Sequence, residues 1–302
     1  MKKDLISIDN LTIDNINEIH DLALQFFQKP NLTPEVTNKI LVNFFFESST
    51  RTRSSFEIAA KRIGIRVVNI DVSLSALKKG ESIIDTAKTI NAMNPDFVAI
   101  RHNSSGIVAL LKKYISASLI NAGDGTNEHP SQALLDSFII KQHKGDLSKL
   151  KIAICGDVLH SRVARSNIKL LHKFGAKVTV ITPPTLMIKD YKEFLKDNYD
   201  IEVFEKLEEG VKDADVIMML RIQRERMLGC YIPSLSEYFK DYGLSYDKLK
   251  FAKKDTIVLH PGPVNRDVEI CSDLVDDKET CLILKQVEAG VAVRQALLKF
   301  LA

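Results

Sequence analysis

Apolar residues fall along the chain in two rhythms. Short continuous runs recur at 40–46 (ILVNFFF), 66–72 (RVVNIDV), 96–100 (DFVAI), 118–122 (SLINA), 151–155 (KIAIC), 177–182 (KVTVIT), 215–220 (DVIMML) and 255–260 (DTIVLH). Runs of that length suit strands buried on both faces, as in parallel sheets. Between them the apolar positions repeat at helical spacing. Phe56, Ala59, Ala60 and Ile63 fall at i, i+3, i+4 and i+7, and Gly64 closes the pattern. Val163, Ser166, Asn167, Leu170 and Leu171 form another stripe, stopped by Gly175. The segment VEAGVAVRQALLKFLA ends the chain as one more helix with a broad apolar face.

Strands alternating with helices predict an α/β fold. The pattern resolves into two domains, each a parallel β-sheet flanked by helices, with the active site expected in the cleft between them. Residues 1–135 with the C-terminal helix 286–302 form the first domain and 150–285 the second. A linking helix and loop cover 136–149. There is no internal repeat and no low-complexity segment.

Composition narrows the class. A chain of 302 residues with 45% hydrophobic and 27% charged positions is ordinary for a soluble globular protein, and it is long for a single core. The net charge of +3 is dispersed, with no basic run, no aromatic-interleaved basic patch and no Trp, so nucleic acid is not an expected partner. Cys155, Cys230, Cys271 and Cys281 form no C-x-x-C pair, which suggests reduced thiols and a cytoplasmic protein. The apolar stretch of MKKDLISIDN is too short for a signal peptide, and no window reaches the length of a membrane span.

Ligands of parallel sheets collect beyond the carboxyl ends of the strands. There the chain delivers cations and hydroxyls. FFF leads to Glu47-Ser48-Ser49-Thr50-Arg51-Thr52, FVAI to Arg101-His102, and LINA to a Gly-rich loop ending in His129-Pro130. IAIC leads to Gly156-Asp157 and on to Arg162, VIMML to Arg221-Ile222-Gln223, and TIVL to His260-Pro261-Gly262-Pro263. Arginines and histidines at strand ends in both halves point to a two-part anion site.

The segment FFESSTRTRSSF is the densest of these. Ser48 or Ser49 can cap the following helix, whose first turn offers backbone N–H groups and the positive end of the macrodipole to a phosphate. Ser49, Thr50 and Thr52 add hydroxyl donors and Arg51 a forked cation. Taken alone, the stretch equally fits a capped helix with solvated arginines, and Arg53 fits solvent or a neighbouring subunit. The loop 73–82, with Ser75, Lys78, Lys79 and Glu81, reads by itself as a solvated turn. His129 can polarise a carbonyl oxygen as a ring donor. Arg221 and Gln223 suit a carboxylate, whereas Arg224 and Arg226 read as solvated. The Gly262–Pro263 peptide is a candidate for a cis bond. The histidines show no metal-ligand spacing, no nucleophile is paired with a base, and Gly156 lacks the G-x-G-x-x-G context. This inventory suits polarisation and positioning of reactants.

In order and spacing, STRTR (49–53), RH (101–102), HPSQALLD (129–136), RIQRER (221–226) and HPGPVNRDVEI (260–270) resemble the aspartate carbamoyltransferase catalytic chains of the aspartate/ornithine carbamoyltransferase superfamily. The resemblance runs from about residue 40 to RQALL (294–298). It implies condensation of carbamoyl phosphate with L-aspartate to N-carbamoyl-L-aspartate and phosphate, the committed step of de novo pyrimidine (UMP) synthesis. It also implies a carbamoyl phosphate-binding first domain, an aspartate-binding second domain, and a homotrimer whose active sites are shared between subunits, with no cofactor and no metal.

By position, the resemblance puts the phosphate on Ser49, Thr50, Arg51 and Thr52, with Arg101 close. The carbamoyl oxygen falls to Thr52, Arg101 and His129, and its amino group to Gln132. Ser75 and Lys79 reach in from an adjacent subunit, Lys79 serving catalysis and both substrates. Arg162, Arg221 and Gln223 hold the aspartate carboxylates, and the carbonyls of Pro261, Gly262 and Pro263 lie near the reacting amine. Ser131 stands where the family often has Thr. Ornithine enzymes usually carry His-Cys-Leu-Pro in place of His260–Pro263, and a cationic substrate would be repelled by Arg221. An ornithine-type carbamoyltransferase is the runner-up. A non-catalytic scaffold would show losses among the anion-site residues, and a nicotinamide enzyme would need the missing glycine fingerprint. Regulatory chains and a dihydroorotase partner are left open.

Overall fold

The structure, a computed structural model, describes residues 3–30, 36–71, 80–223, 231–232 and 234–302. It divides into two compact units, Met1–Phe138 with Val287–Ala302, and Ile139–Gln286.

The first unit runs α1 (Ile13–Gln28), β1 (Ile40–Phe45), α2 (Thr50–Arg62), β2 (Arg66–Asp71), α3 (Ile83–Ala92), β3 (Phe97–His102), α4 (Ile107–Leu111), β4 (Ser118–Asp124) and α5 (Pro130–Lys144), the last crossing into the second unit. Its sheet is parallel in the order β2-β1-β3-β4. Val42 of β1 lies beside Val68 of β2 and Val98 of β3, and Leu41 through Phe45 are buried. That two-sided burial explains why the strand is apolar apart from Asn43, whose Nδ2 donates to Asn69 Oδ1 at 2.9 Å. Val42, Phe44, Val98, Ile100 and Leu119 pack with Ala87 and Ile90 of α3 into one core. On α2 the apolar stripe buries Phe56, Ala59 and Ala60, and truncating Phe56 to Ala would cost about 3–5 kcal/mol.

The second unit continues with β5 (Lys151–Cys155), α6 (Arg162–Lys173), β6 (Lys177–Ile181), α7 (Lys189–Tyr199), β7 (Glu202–Phe204), α8 (Leu207–Gly210), β8 (Val216–Met219), α9 (Leu235–Tyr242), α10 (Tyr246–Leu249), β9 (Ile257–Leu259), α11 (Ser272–Asp276) and α12 (Ile283–Leu301), which passes into the first unit. Its parallel sheet has the order β7-β6-β5-β8-β9. Ala153, Ile181, Ile217, Met219 and Val258 form the centre of its core.

Several boundaries differ from the sequence reading. β3 runs on through Arg101 and His102, because it keeps pairing with β4 as far as His102 opposite Asp124. Conversely, β9 is only Ile257–Leu259. β7 has no counterpart among the apolar runs; it is a three-residue strand with no buried residue, pairing on β6. α1 likewise has no counterpart in the patterns described above, although Thr12 and Asn15 cap it reciprocally. No helix among the described residues is long and apolar enough to cross a membrane.

Candidate active site

Both sheets reverse their strand order at one point, where the loops of parallel sheets diverge. The candidate residues that follow β1, β3, β5 and β8 lie at these points, whereas His129 follows the edge strand β4 and His260–Pro263 the edge strand β9. In the first sheet the reversal lies between β1 and β3. The Phe46 amide donates to the Arg101 carbonyl at 2.8 Å, carrying the pairing one residue beyond β1. Arg101 then bridges the divergence. Its Nε donates to Glu47 Oε2 at 3.1 Å, while its Nη1 stands 3.5 Å from Thr52 Oγ1 and 3.4 Å from the Ala122 carbonyl. Glu47 was visible in the sequence only as a strand-end residue. Here it is the half-buried counter-ion that fixes the arginine's direction.

α2 begins directly behind this pair. Ser49 occupies the N-cap position, but its hydroxyl makes no capping bond, contrary to the ordinary role of such a serine. The first-turn amides of Thr50, Arg51 and Thr52 are therefore not consumed by their cap, and the positive helix end faces outward. Thr50, Arg51 and Arg53 are exposed, and Thr52 is buried.

The loop after β4 is organised by buried acids that the sequence did not single out. Asp124 accepts from the Gly106 amide at 2.7 Å, the Glu128 amide at 3.1 Å and Asn121 Nδ2 at 2.9 Å. Glu128 accepts from Ser7 Oγ at 2.6 Å and the Ile8 amide at 3.0 Å. Gly125 has φ +49°, and a Cβ there would stand 2.3 Å from Ser105 Oγ, so no other residue fits the turn. Held this way, His129 is buried at the start of α5, its Nδ1 3.4 Å from Ser131 Oγ. Gln132, one turn on, donates to Asp136 Oδ1 at 2.9 Å.

In the second sheet the reversal lies between β5 and β8. Asp157, fully buried after β5, accepts from the His160 amide at 3.1 Å and stands 2.9 Å from His160 Nδ1. Its other oxygen accepts from the Gln223 amide at 3.4 Å, and Gln223 Nε2 donates to the His160 carbonyl at 3.0 Å. The loop after β8 is thereby tied to the loop after β5. Ser161 caps α6 through the Ala164 amide at 3.1 Å and sets Arg162 as its first residue, 4% exposed. Arg165 is engaged elsewhere, over the Tyr191 ring at 4.9 Å. Arg221 is half-buried immediately before the tethered Ile222 and Gln223.

Beyond β9, the His260 amide donates to Gln286 Oε1 and the Gly262 amide to His260 Nδ1, each at 2.9 Å. The Gly262–Pro263 peptide is cis. Ser75 and Lys79 lie outside the described residues, as do Lys78, Arg224 and Arg226. Among the described residues, no group of three His, Cys, Asp or Glu side chains could hold a metal ion.

Two family models cover nearly the whole chain. Residues 3–142 match "Aspartate/ornithine carbamoyltransferase, carbamoyl-P binding domain" and residues 148–301 match "Aspartate/ornithine carbamoyltransferase, Asp/Orn binding domain". The aspartate carbamoyltransferase catalytic subunit of Wolbachia sp. subsp. Brugia malayi is 50% identical over 301 residues, 99% of this chain and 98% of its own. That of Brucella canis is 52% identical over 302 residues, 98% of this chain and 92% of its own. Among solved structures, the aspartate transcarbamoylase of Trypanosoma cruzi in complex with N-(phosphonacetyl)-L-aspartic acid is similar at TM-score 0.88 and 29% identity, covering 98% of this chain and 95% of that one. The ornithine carbamoyltransferase of Pyrococcus furiosus is similar at TM-score 0.87 and 27% identity, covering 99% and 96%.

Proposed function

The chain belongs to the aspartate/ornithine carbamoyltransferase family, and we propose that it is an aspartate-using member. It condenses carbamoyl phosphate with L-aspartate, giving N-carbamoyl-L-aspartate and phosphate, a step of pyrimidine biosynthesis. The observation that carries this reading is the 50% identity along the full length of an aspartate carbamoyltransferase catalytic subunit. Backbone likeness cannot make the choice, because the aspartate and ornithine enzymes match at 0.88 and 0.87.

On this reading the phosphate of carbamoyl phosphate rests on the first turn of α2, with Ser49, Thr50, Arg51 and Thr52. The uncapped amides and the helix dipole favour its charge. Arg101, Thr52 and His129 point donors at the carbamoyl oxygen, and Gln132 takes the carbamoyl amino group. Arg162, Arg221 and Gln223 hold the two aspartate carboxylates, and carbonyls of Pro261, Gly262 and Pro263 orient the α-amine. Ser75 and Lys79 complete the site from a neighbouring subunit of a homotrimer, and the isolated cysteines suit a cytoplasmic enzyme.

Chemistry then follows from charge. The neutral α-amine attacks the carbamoyl carbon, forming the C–N bond while negative charge gathers on the carbamoyl oxygen. Thr52, Arg101 and His129 stabilise that charge, each such donor being worth about 100–1000-fold in rate. The C–O bond to phosphate breaks, and the departing phosphate takes the proton the amine loses. Nothing in this sequence of steps requires a cofactor.

Calorimetric titration with N-(phosphonacetyl)-L-aspartate tests the reading, because that molecule joins both substrates. Binding that excludes carbamoyl phosphate is expected. A chain that binds carbamoyl phosphate yet ignores the bisubstrate compound would contradict it.

A further inference from the structure

Arg221 and Gln223 can hold a carboxylate only if the three-residue segment that carries them is itself held. It follows β8, belongs to no strand or helix, and precedes residues 224–230. Asp157 and the His160 carbonyl tether Gln223 at one end, and one side chain far along the sequence holds the middle. Glu269 is fully buried, and its Oε1 accepts from the Ile222 amide at 3.0 Å, between the two proposed aspartate ligands. The same Oε1 accepts from Asn265 Nδ2 at 2.7 Å, and Oε2 accepts from the Asn265 amide at 2.6 Å. Oε2 also stands 3.7 Å from His260 Nε2, and both side chains are inaccessible to solvent.

The ring has a defined direction. Because the Gly262 amide donates into His260 Nδ1, the neutral ring carries its proton on Nε2, the nitrogen that faces Glu269. One carboxylate thus collects three N–H donors and faces a ring N–H, drawn from the loop after β8 and the loop after β9. Burial pushes its carboxyl above the ordinary range, while the Ile222 and Asn265 donors and the Arg221 charge pull it back.

We propose that Glu269 is the positioning residue of the aspartate half-site, locking the backbone of Arg221 and Gln223 to the loop of His260–Pro263. This rests on the function proposed above. It predicts that Glu269 acts on aspartate alone, since every group it holds belongs to the second unit. Glu269→Gln keeps the shape and one acceptor but turns an NH2 toward the Asn265 amide, setting donor against donor. Asn265→Ala removes one of the three donors and leaves the carboxylate.

The test is steady-state kinetics on both variants beside the wild type, with melting temperature recorded for each. Glu269→Gln should raise the aspartate KM about 10-fold or more, the loss of a charge-assisted hydrogen bond, with the carbamoyl phosphate KM within about 2-fold. Asn265→Ala should move the aspartate KM the same way by a smaller factor, and it decides the matter if Glu269→Gln does not fold. An unchanged aspartate KM in a folded variant overturns the proposal. So does a rise of both KM values together with a lowered melting temperature, which marks a merely structural role. A wild-type chain that does not carbamoylate aspartate refutes the functional reading instead, and the two failures are therefore distinct.

Discussion

Arg101 Nη1 stands 3.5 Å from Thr52 Oγ1, across the point where the first sheet reverses its order, while Glu47 holds the opposite side of the guanidinium at 3.1 Å. Two donors from different elements, β3 and α2, therefore converge on one place before any substrate arrives. Such preorganisation is what stabilises a developing oxyanion. Thr52→Val should lower kcat by about 100-fold or more with a smaller change in the carbamoyl phosphate KM, and Thr52→Ser should recover much of it. Equal activity of the valine and serine variants would remove Thr52 from the transition state.

Arg221 carries the clearest prediction for the other substrate. Replacing it with Ala should raise the aspartate KM about 10- to 100-fold, as expected for a lost charge-assisted contact, and leave carbamoyl phosphate nearly untouched. An unchanged aspartate KM would refute its assignment.

Sharing of sites between subunits has its own test. Arg51→Ala and Lys79→Ala chains, each inactive alone, should regain part of the wild-type activity when dissociated and reassembled together. In the proposed homotrimer, some mixed assemblies then hold a site with both residues intact. Properly assembled mixed trimers, sized by light scattering, that show no recovery would count against sharing.

Arg294 and Asp136 bear on stability. Arg294, 3% exposed, donates to the Gly290 carbonyl at 2.9 Å and lies over the Phe56 ring at 5.0 Å. Burial brings its pKa down to about 10, so it stays charged at neutral pH, and the Asp136 carboxylate opposes that fall. Arg294→Met should destabilise by about 1–3 kcal/mol, because buried Asp136 loses a favourable charge and keeps the neutral Gln132 donor. Adding Asp136→Asn should recover part of that loss in calorimetric melting. A double variant less stable than Arg294→Met would contradict the pairing.

β1 and β5 were legible because burial on both faces leaves a nearly continuous apolar run, interrupted in β1 by the buried Asn43. β7 was illegible for the opposite reason: three residues with no buried position leave no rhythm. Arg101 shows a subtler limit, since β3 runs through that residue only because Arg101 pairs with Phe45 of β1 and His102 with Asp124 of β4. The strand-end cations stood out because arginine there is unusual. The acids that fix the neighbouring loops did not. Asp124, Asp157 and Glu269 are buried and bonded to backbone amides, yet in a sequence a buried carboxylate looks like any surface one. Ser49 misled in a smaller way, reading as a cap while its hydroxyl leaves the first turn open.

The account turns on which amine receives the carbamoyl group, so the decisive measurement is kcat/KM for carbamoyl transfer to L-aspartate and to L-ornithine by the same purified chain. A half-site built of Arg162, Arg221 and Gln223 predicts N-carbamoyl-L-aspartate as the product and a preference on the order of ten-thousand-fold over ornithine. Turnover with ornithine and none with aspartate would contradict it.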